Sequence, residues 1–108
     1  MRNETVVLRG SRVIVTAPDE VFRVLGERGG DLYLWMRPHG CCVGALVMLE
    51  ADTSPPPKGE HQFERAAGRG FDLFIDLGRH PAPQTLALEL RGRKKEIAAY
   101  WNGMAYVV

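Results

Sequence analysis

Long apolar runs are missing from this sequence. The only candidate is interrupted by Arg37, Pro38 and His39, so nothing approaches the roughly 18 to 20 residues that a membrane-spanning helix needs. A dominant charge is missing too: 14 Lys plus Arg stand against 13 Asp plus Glu, a formal net charge of +1, which provides no global field for nucleic acid or an anionic membrane. Ser11 and Ser54 lack the context of a nucleophile elbow, and no glycine loop is built to cradle phosphate. The first residues include Glu4 and lead into only three consecutive apolar residues, Val6 to Leu8. That is not the apolar segment of a secretory signal, and a cytoplasmic location is expected. Cysteine is scarce: there are two, and they are adjacent. In a reducing cytosol such a pair is read as metal-binding, redox-active or merely buried, not as a permanent staple.

What is present fits one domain over residues 1–108, large enough to bury a single core. Ser11 to Thr16 leads into a helix signal, with Thr16 as N-cap, Pro18 in the first turn and Asp19 completing a capping box. Ala17, Val21, Val24 and Leu25 fall on one helical face, Asp19, Glu20, Arg23 and Glu27 stay wet, and Gly29-Gly30 ends the helix. From Asp31 the period becomes two, with apolar residues on both faces of a strand that Pro38 is expected to end. Val43 to Leu49 forms the return arm of a hairpin with the cysteines at or near its bend. Residues 51–62, with three successive prolines, read as an exposed connection, and Phe71 to Asp76 as a further strand. Thr85 to Arg91 and Lys94 to Trp101 pair across Gly92-Arg93, and Asn102-Gly103 is a turn from which the apolar tail packs back. The expected class is mainly β with one short N-terminal helix.

The candidate chemistry lies in Pro38-His39-Gly40-Cys41-Cys42-Val43-Gly44. Cys41 and Cys42 are the candidate reactive thiols and, with His39, the candidate metal ligands. Gly40 and Gly44 relax the steric limits on the segment, so that backbone amides can point at a thiolate and lower its pKa. Adjacent residues of an extended chain point to opposite faces, so one metal takes both sulfurs only if the turn twists them together. A tetrahedral zinc site needs four ligands, and the chain offers the two cysteines plus His39, His61 and His80. Two chains can instead complete a four-sulfur site, giving a homodimer with one metal centre at its interface. His61 and His80 otherwise read as exposed loop residues, and Asp72 and Asp76 as the polar side of a half-solvated sheet. Tyr33, Trp35, Tyr100 and Trp101 read as core or sheet-packing residues whose flat surfaces can also line a groove. Arg91-Gly92-Arg93-Lys94-Lys95, the one basic cluster, reads as a solvated hairpin tip or a docking patch.

The order of elements, from Val13-Ile14-Val15-Thr16 through the short helix and Gly29-Gly30 to the strand Leu32 to Met36 and Gly40-Cys41-Cys42-Val43-Gly44, resembles the HesB-like domain of A-type iron-sulfur carriers over most of residues 12–103. By that resemblance Cys42 matches the first cluster ligand of the family's Gly-Gly-Cys-Ser-Gly segment, and Cys41 takes the place of a glycine. The family's C-terminal Cys-Gly-Cys has no counterpart, because Trp101-Asn102-Gly103 is followed by Met104. The pair is more similar to a small bacterial offshoot marked by a vicinal Cys-Cys in which selenocysteine can replace one cysteine. The resemblance implies a compact, curved HesB-like sheet, and redox or metal chemistry at the pair with iron or an iron-sulfur cluster as candidate cofactor. A redox or iron-sulfur assembly protein is the implied partner. The rival reading is a non-catalytic interaction domain that keeps the fold with inert, buried cysteines.

Overall fold

In the computed structural model every residue is described except 42, 43, 58–60, 79, 105 and 108, and residues 38–41, 44–46, 106 and 107 are described by their backbone alone. Among the described residues, alternating sequence forms nine strands: β1 (Arg2–Leu8), β2 (Ser11–Ala17), β3 (Asp31–Cys41), β4 (Gly44–Asp52), β5 (Glu64–Ala67), β6 (Asp72–Ile75), β7 (Thr85–Arg91), β8 (Glu96–Trp101) and β9 (Tyr106–Val107). The helix α1 (Asp19–Glu27) lies between β2 and β3. The strands form two mixed sheets, ordered β1-β2-β7-β8 and β5-β6-β3-β4-β9. β2 runs parallel to β7 and β3 parallel to β6, and the other neighbours are antiparallel. The mainly β class with one short helix is therefore what the chain adopts.

One apolar core unites both sheets, and the period of two selects its members. Val6 and Leu8, Val13 and Val15, Leu32 and Leu34, Leu73 and Ile75, Leu86 and Leu88, and Ile97 and Trp101 are buried at alternate positions of their strands. The helix adds Val21 and Leu25 to that core, and Val24 is buried beside them. Asp19, Glu20, Arg23 and Glu27 are exposed, as the 3.6-residue period requires.

The helix begins later than its sequence signal. Thr16 is held in β2, opposite Asn3 on one side and Ala87 on the other, so it is not free to cap. Pro18 occupies the N-cap position with no side-chain hydrogen bond. The far end follows the glycine signal: Gly29 and Gly30 have φ of 105° and 84°, and Gly30 N–H donates to the Leu25 carbonyl at 2.8 Å. The Gly30 carbonyl then accepts from Asp72 N at 2.9 Å, which sets β3 against β6.

Pro38 does not end β3. The Leu34 carbonyl accepts from Asp76 N at 2.9 Å, so residues of Leu34's parity direct their backbone groups toward β6 and away from β4. Pro38 shares that parity, and β6 pairs with β3 only from Asp31 to Leu34. The missing proline N–H therefore removes no ladder bond, and the strand continues to Cys41.

The β7–β8 loop is longer than its sequence signal, covering Gly92 to Lys95, with φ of 73° and 51° at its two ends. It is latched to the helix: Lys95 Nζ meets Glu20 Oε1 at 2.8 Å, and Arg28 donates to the Lys94 carbonyl at 3.0 Å. The β1–β2 hairpin turns through Arg9 and Gly10, both left-handed, the geometry that matches the natural twist of two-residue hairpins. Arg9 ties this turn to the other sheet, donating to Glu64 at 2.9 Å and to the carbonyls of His80 and Gly78 at 3.2 and 3.3 Å.

Candidate functional site

The cysteine segment sits at the end of the β3–β4 hairpin. Its register runs from Tyr33 opposite Asp52 to His39 opposite Leu46 and Cys41 opposite Gly44. Because β6 stops pairing at Leu34, residues 35–41 and their β4 partners form an arm, about 23 Å long at the usual strand rise, whose β3 side has no strand neighbour among the described residues. β9 flanks the arm at Val47 and Met48. Cys42 and Val43 lie outside the described residues, as do the side chains of His39 and Cys41. His39 and Cys41 are two residues apart on one strand, about 7 Å between Cα atoms.

The other histidines have partners elsewhere. His61 Nδ1 lies 3.1 Å from Asp76 Oδ2, and its ring is 6.2 Å from that of Trp35. Trp35 is six residues from Cys41, about 20 Å along β3, so His61 does not join the cysteine end. His80 packs edge-on against Trp101, with 6.5 Å between ring centroids. Among the described residues no three His, Cys, Asp or Glu side chains converge as a metal site.

A second grouping, which joins Tyr33, Trp35, His61 and Asp76 to Phe63 and Phe74, covers the outer face of the five-stranded sheet. Tyr33 and Phe74, opposite one another on β3 and β6, stack with centroids 5.0 Å apart and planes 17° from parallel. Phe63 meets Tyr33 edge-on at 5.4 Å and His61 at 5.5 Å. The segment through His61 and Phe63 thus lies over the sheet, and Asp76 Oδ2 also accepts from Gln62 N at 3.3 Å. His61 is consequently half-buried, not an exposed loop residue. The signal for this cover was the aromatic character of Tyr33, Trp35 and Phe74 at the strand positions opposite the core. The charges around it are paired, Arg37 with Glu50 at 2.9 Å and Arg65 with Asp72 at 3.0 Å. This face is an aromatic cluster that fastens a loop, and Glu50, Asp72 and Asp76 on it are engaged by Arg37, Arg65 and His61.

No protein-family model, curated protein or solved structure matches the chain.

Proposed function

We propose that the chain is a HesB-like protein whose β3–β4 arm presents Cys41 and Cys42 as a vicinal dithiol, acting in thiol redox chemistry or in transient binding of iron or an iron-sulfur cluster. The observation that supports this reading is the register, which runs without interruption to Cys41 opposite Gly44, well past the last pairing of β3 with β6. Exchange chemistry requires a thiol that a partner disulfide can reach, and the end of a hairpin is a position suited to that.

In thiol–disulfide exchange one thiolate of the pair attacks a partner disulfide and expels a partner thiolate. The neighbouring thiolate then attacks the mixed disulfide, leaving a Cys41–Cys42 disulfide here and two thiols on the partner. Two electrons pass from this chain to the partner, and both protons are retained by the partner's thiols or by solvent. In metal binding the same deprotonated sulfurs act as soft ligands, with His39 as a further candidate. With two sulfurs per chain, a four-sulfur centre takes two chains, so the loaded form is a homodimer carrying one centre.

The test compares alkylation rate and thiolate absorbance against pH in the wild type, Cys41→Ser and Cys42→Ser. Anaerobic iron and sulfide uptake is followed alongside, with sedimentation of the loaded protein. At least one thiol titrating below the free-cysteine value of about 8.5, or metal uptake lost in both variants, supports the proposal. Two slow thiols with no metal uptake would overturn it.

A further inference from the structure

The β7–β8 turn, residues 92–95, uses its acceptors internally and leaves its donors open. The Gly92 carbonyl accepts from Lys95 N at 3.3 Å, and the Lys94 carbonyl accepts from the Arg28 guanidinium at 3.0 Å. Among the described residues the N–H groups of Gly92, Arg93 and Lys94 have no protein acceptor. These donors are consecutive, and the backbone changes hand between the first two: Gly92 has φ +73°, while Arg93 returns to the ordinary negative range. A change of hand between neighbours turns successive N–H groups toward one side, the nest geometry that binds anions.

The side chains around the nest carry the matching charge. Arg91 is paired with Glu89 at 2.8 Å and Lys95 with Glu20 at 2.8 Å. Arg93 and Lys94 are exposed and have no carboxylate partner among the described residues. Arg91, Gly92, Arg93 and Lys94 line a shallow cleft of about 340 Å³, with Glu96 on its rim. Glu96 opposes an anion there, but it stands alone against two free cations and a run of main-chain donors. The turn is also held in shape before any ligand arrives, because Lys95 ties it to Glu20 and Arg28 ties it to the body of the helix. Little ordering is left for binding to pay for.

We propose that this turn is a binding site for a phosphate monoester group, received by the N–H groups of Gly92, Arg93 and Lys94 and by the side chains of Arg93 and Lys94. The sequence has no glycine-rich phosphate loop, and none is needed, because a single left-handed glycine in a hairpin turn supplies the donors. The site is independent of the thiol reading, since it rests on neither cysteine.

The test follows the full chain, metal-free and labelled with ¹⁵N, as sodium phosphate is added at constant ionic strength. The pH is about 7.5, where such a group is mostly dianionic. The amides of Gly92, Arg93 and Lys94 are expected to shift together and to saturate in the millimolar range, while chloride at equal ionic strength leaves them in place. Glycerol 3-phosphate and the peptide acetyl-Ala-phosphoserine-Ala-amide present the same group from its two sources, a free small-molecule ester and a modified side chain, and the tighter of the two identifies the source. The double substitution Arg93→Ala with Lys94→Ala is expected to weaken phosphate binding roughly tenfold, and Glu96→Gln to tighten it roughly threefold, with the unfolding temperature unchanged in both. Shifts that fail to saturate, that chloride reproduces, or that survive the double substitution undiminished would overturn the proposal. So would both esters binding more than roughly tenfold more weakly than inorganic phosphate.

Discussion

Arg9 combines a backbone cost with a side-chain gain, and substitution separates them. At φ +52° a non-glycine residue carries about 1 kcal/mol of left-handed strain. Against this stand three sets of contacts: the pair with Glu64 and the two hydrogen bonds to the His80 and Gly78 carbonyls. The ion pair is about 40% exposed on both sides, so solvent screening limits it to about 0.5 kcal/mol, and each carbonyl bond adds roughly 0.5 to 1 kcal/mol. Arg9→Ala keeps the strain and loses the contacts, so it should cost about 1.5 to 2.5 kcal/mol. Arg9→Asn loses the same contacts but tolerates the left-handed backbone, and should cost about 0.5 to 1 kcal/mol less than Arg9→Ala. Urea unfolding with unchanged slope measures both. A double-mutant cycle with Glu64→Ala should give a coupling under about 1 kcal/mol, smaller still in molar salt. Equal costs for alanine and asparagine would refute the strain assignment, and a negligible cost for alanine would refute the clamp.

Three further outcomes follow from other parts of the fold. Asn102→Ala should cost about 1 to 2 kcal/mol in thermal unfolding, because Asn102 Oδ1 accepts from both Gln84 N and Thr85 N and the residue sits at φ +48°; Asn102→Gly should recover part of it. Gly68→Ala should cost about 1 to 3 kcal/mol, since a Cβ there would lie 2.4 Å from the ring of Phe71, which is itself buried and packed against Phe22; an undiminished denaturation midpoint would contradict this. The hydrogen bond and charge of Lys95 hold the Glu20 carboxyl below its ordinary 4.5. A depressed carboxyl contributes stability above its unfolded-state value and loses it as pH falls through the folded one, so Lys95→Ala should raise the Glu20 midpoint in a carboxyl ¹³C titration and flatten the acid limb of the stability curve.

Strong periodicity made much of this fold readable. The buried faces of the helix and of the β7–β8 hairpin follow from spacing alone, because burial of one face is what alternation encodes, whereas β3 offers apolar residues on both faces and only the fold selects Leu32 and Leu34. Elements whose partners are remote in sequence were harder. β1, with Asn3, Glu4 and Thr5, carries only a weak apolar pattern and is a strand because seven register pairs with β2 hold it. β5, Glu64–Ala67, has one buried side chain, Ala66, and depends on β6. Thr16 and Pro38 carried local signals that tertiary pairing overrode, the first by holding the residue in a ladder, the second by directing its missing donor to an open side. For the candidate site, the hairpin and the place of Cys41 at the end of β3 were legible, while Cys42 lies outside the described residues. The commitment of His61 to Asp76 was not, because those residues meet only through the loop that closes over the sheet.

The same Pro38 has a bearing on how two copies of the chain can meet. The free side of the arm would otherwise be a row of alternating donors and acceptors, a ready template on which another strand could zip. Proline interrupts that row midway between Met36 and Gly40, so lateral growth of one arm along another meets a gap where a hydrogen bond is due. Tip-to-tip approach needs none of those bonds. An arm blunted on its flank therefore favours discrete, end-on encounters over fibre-like stacking.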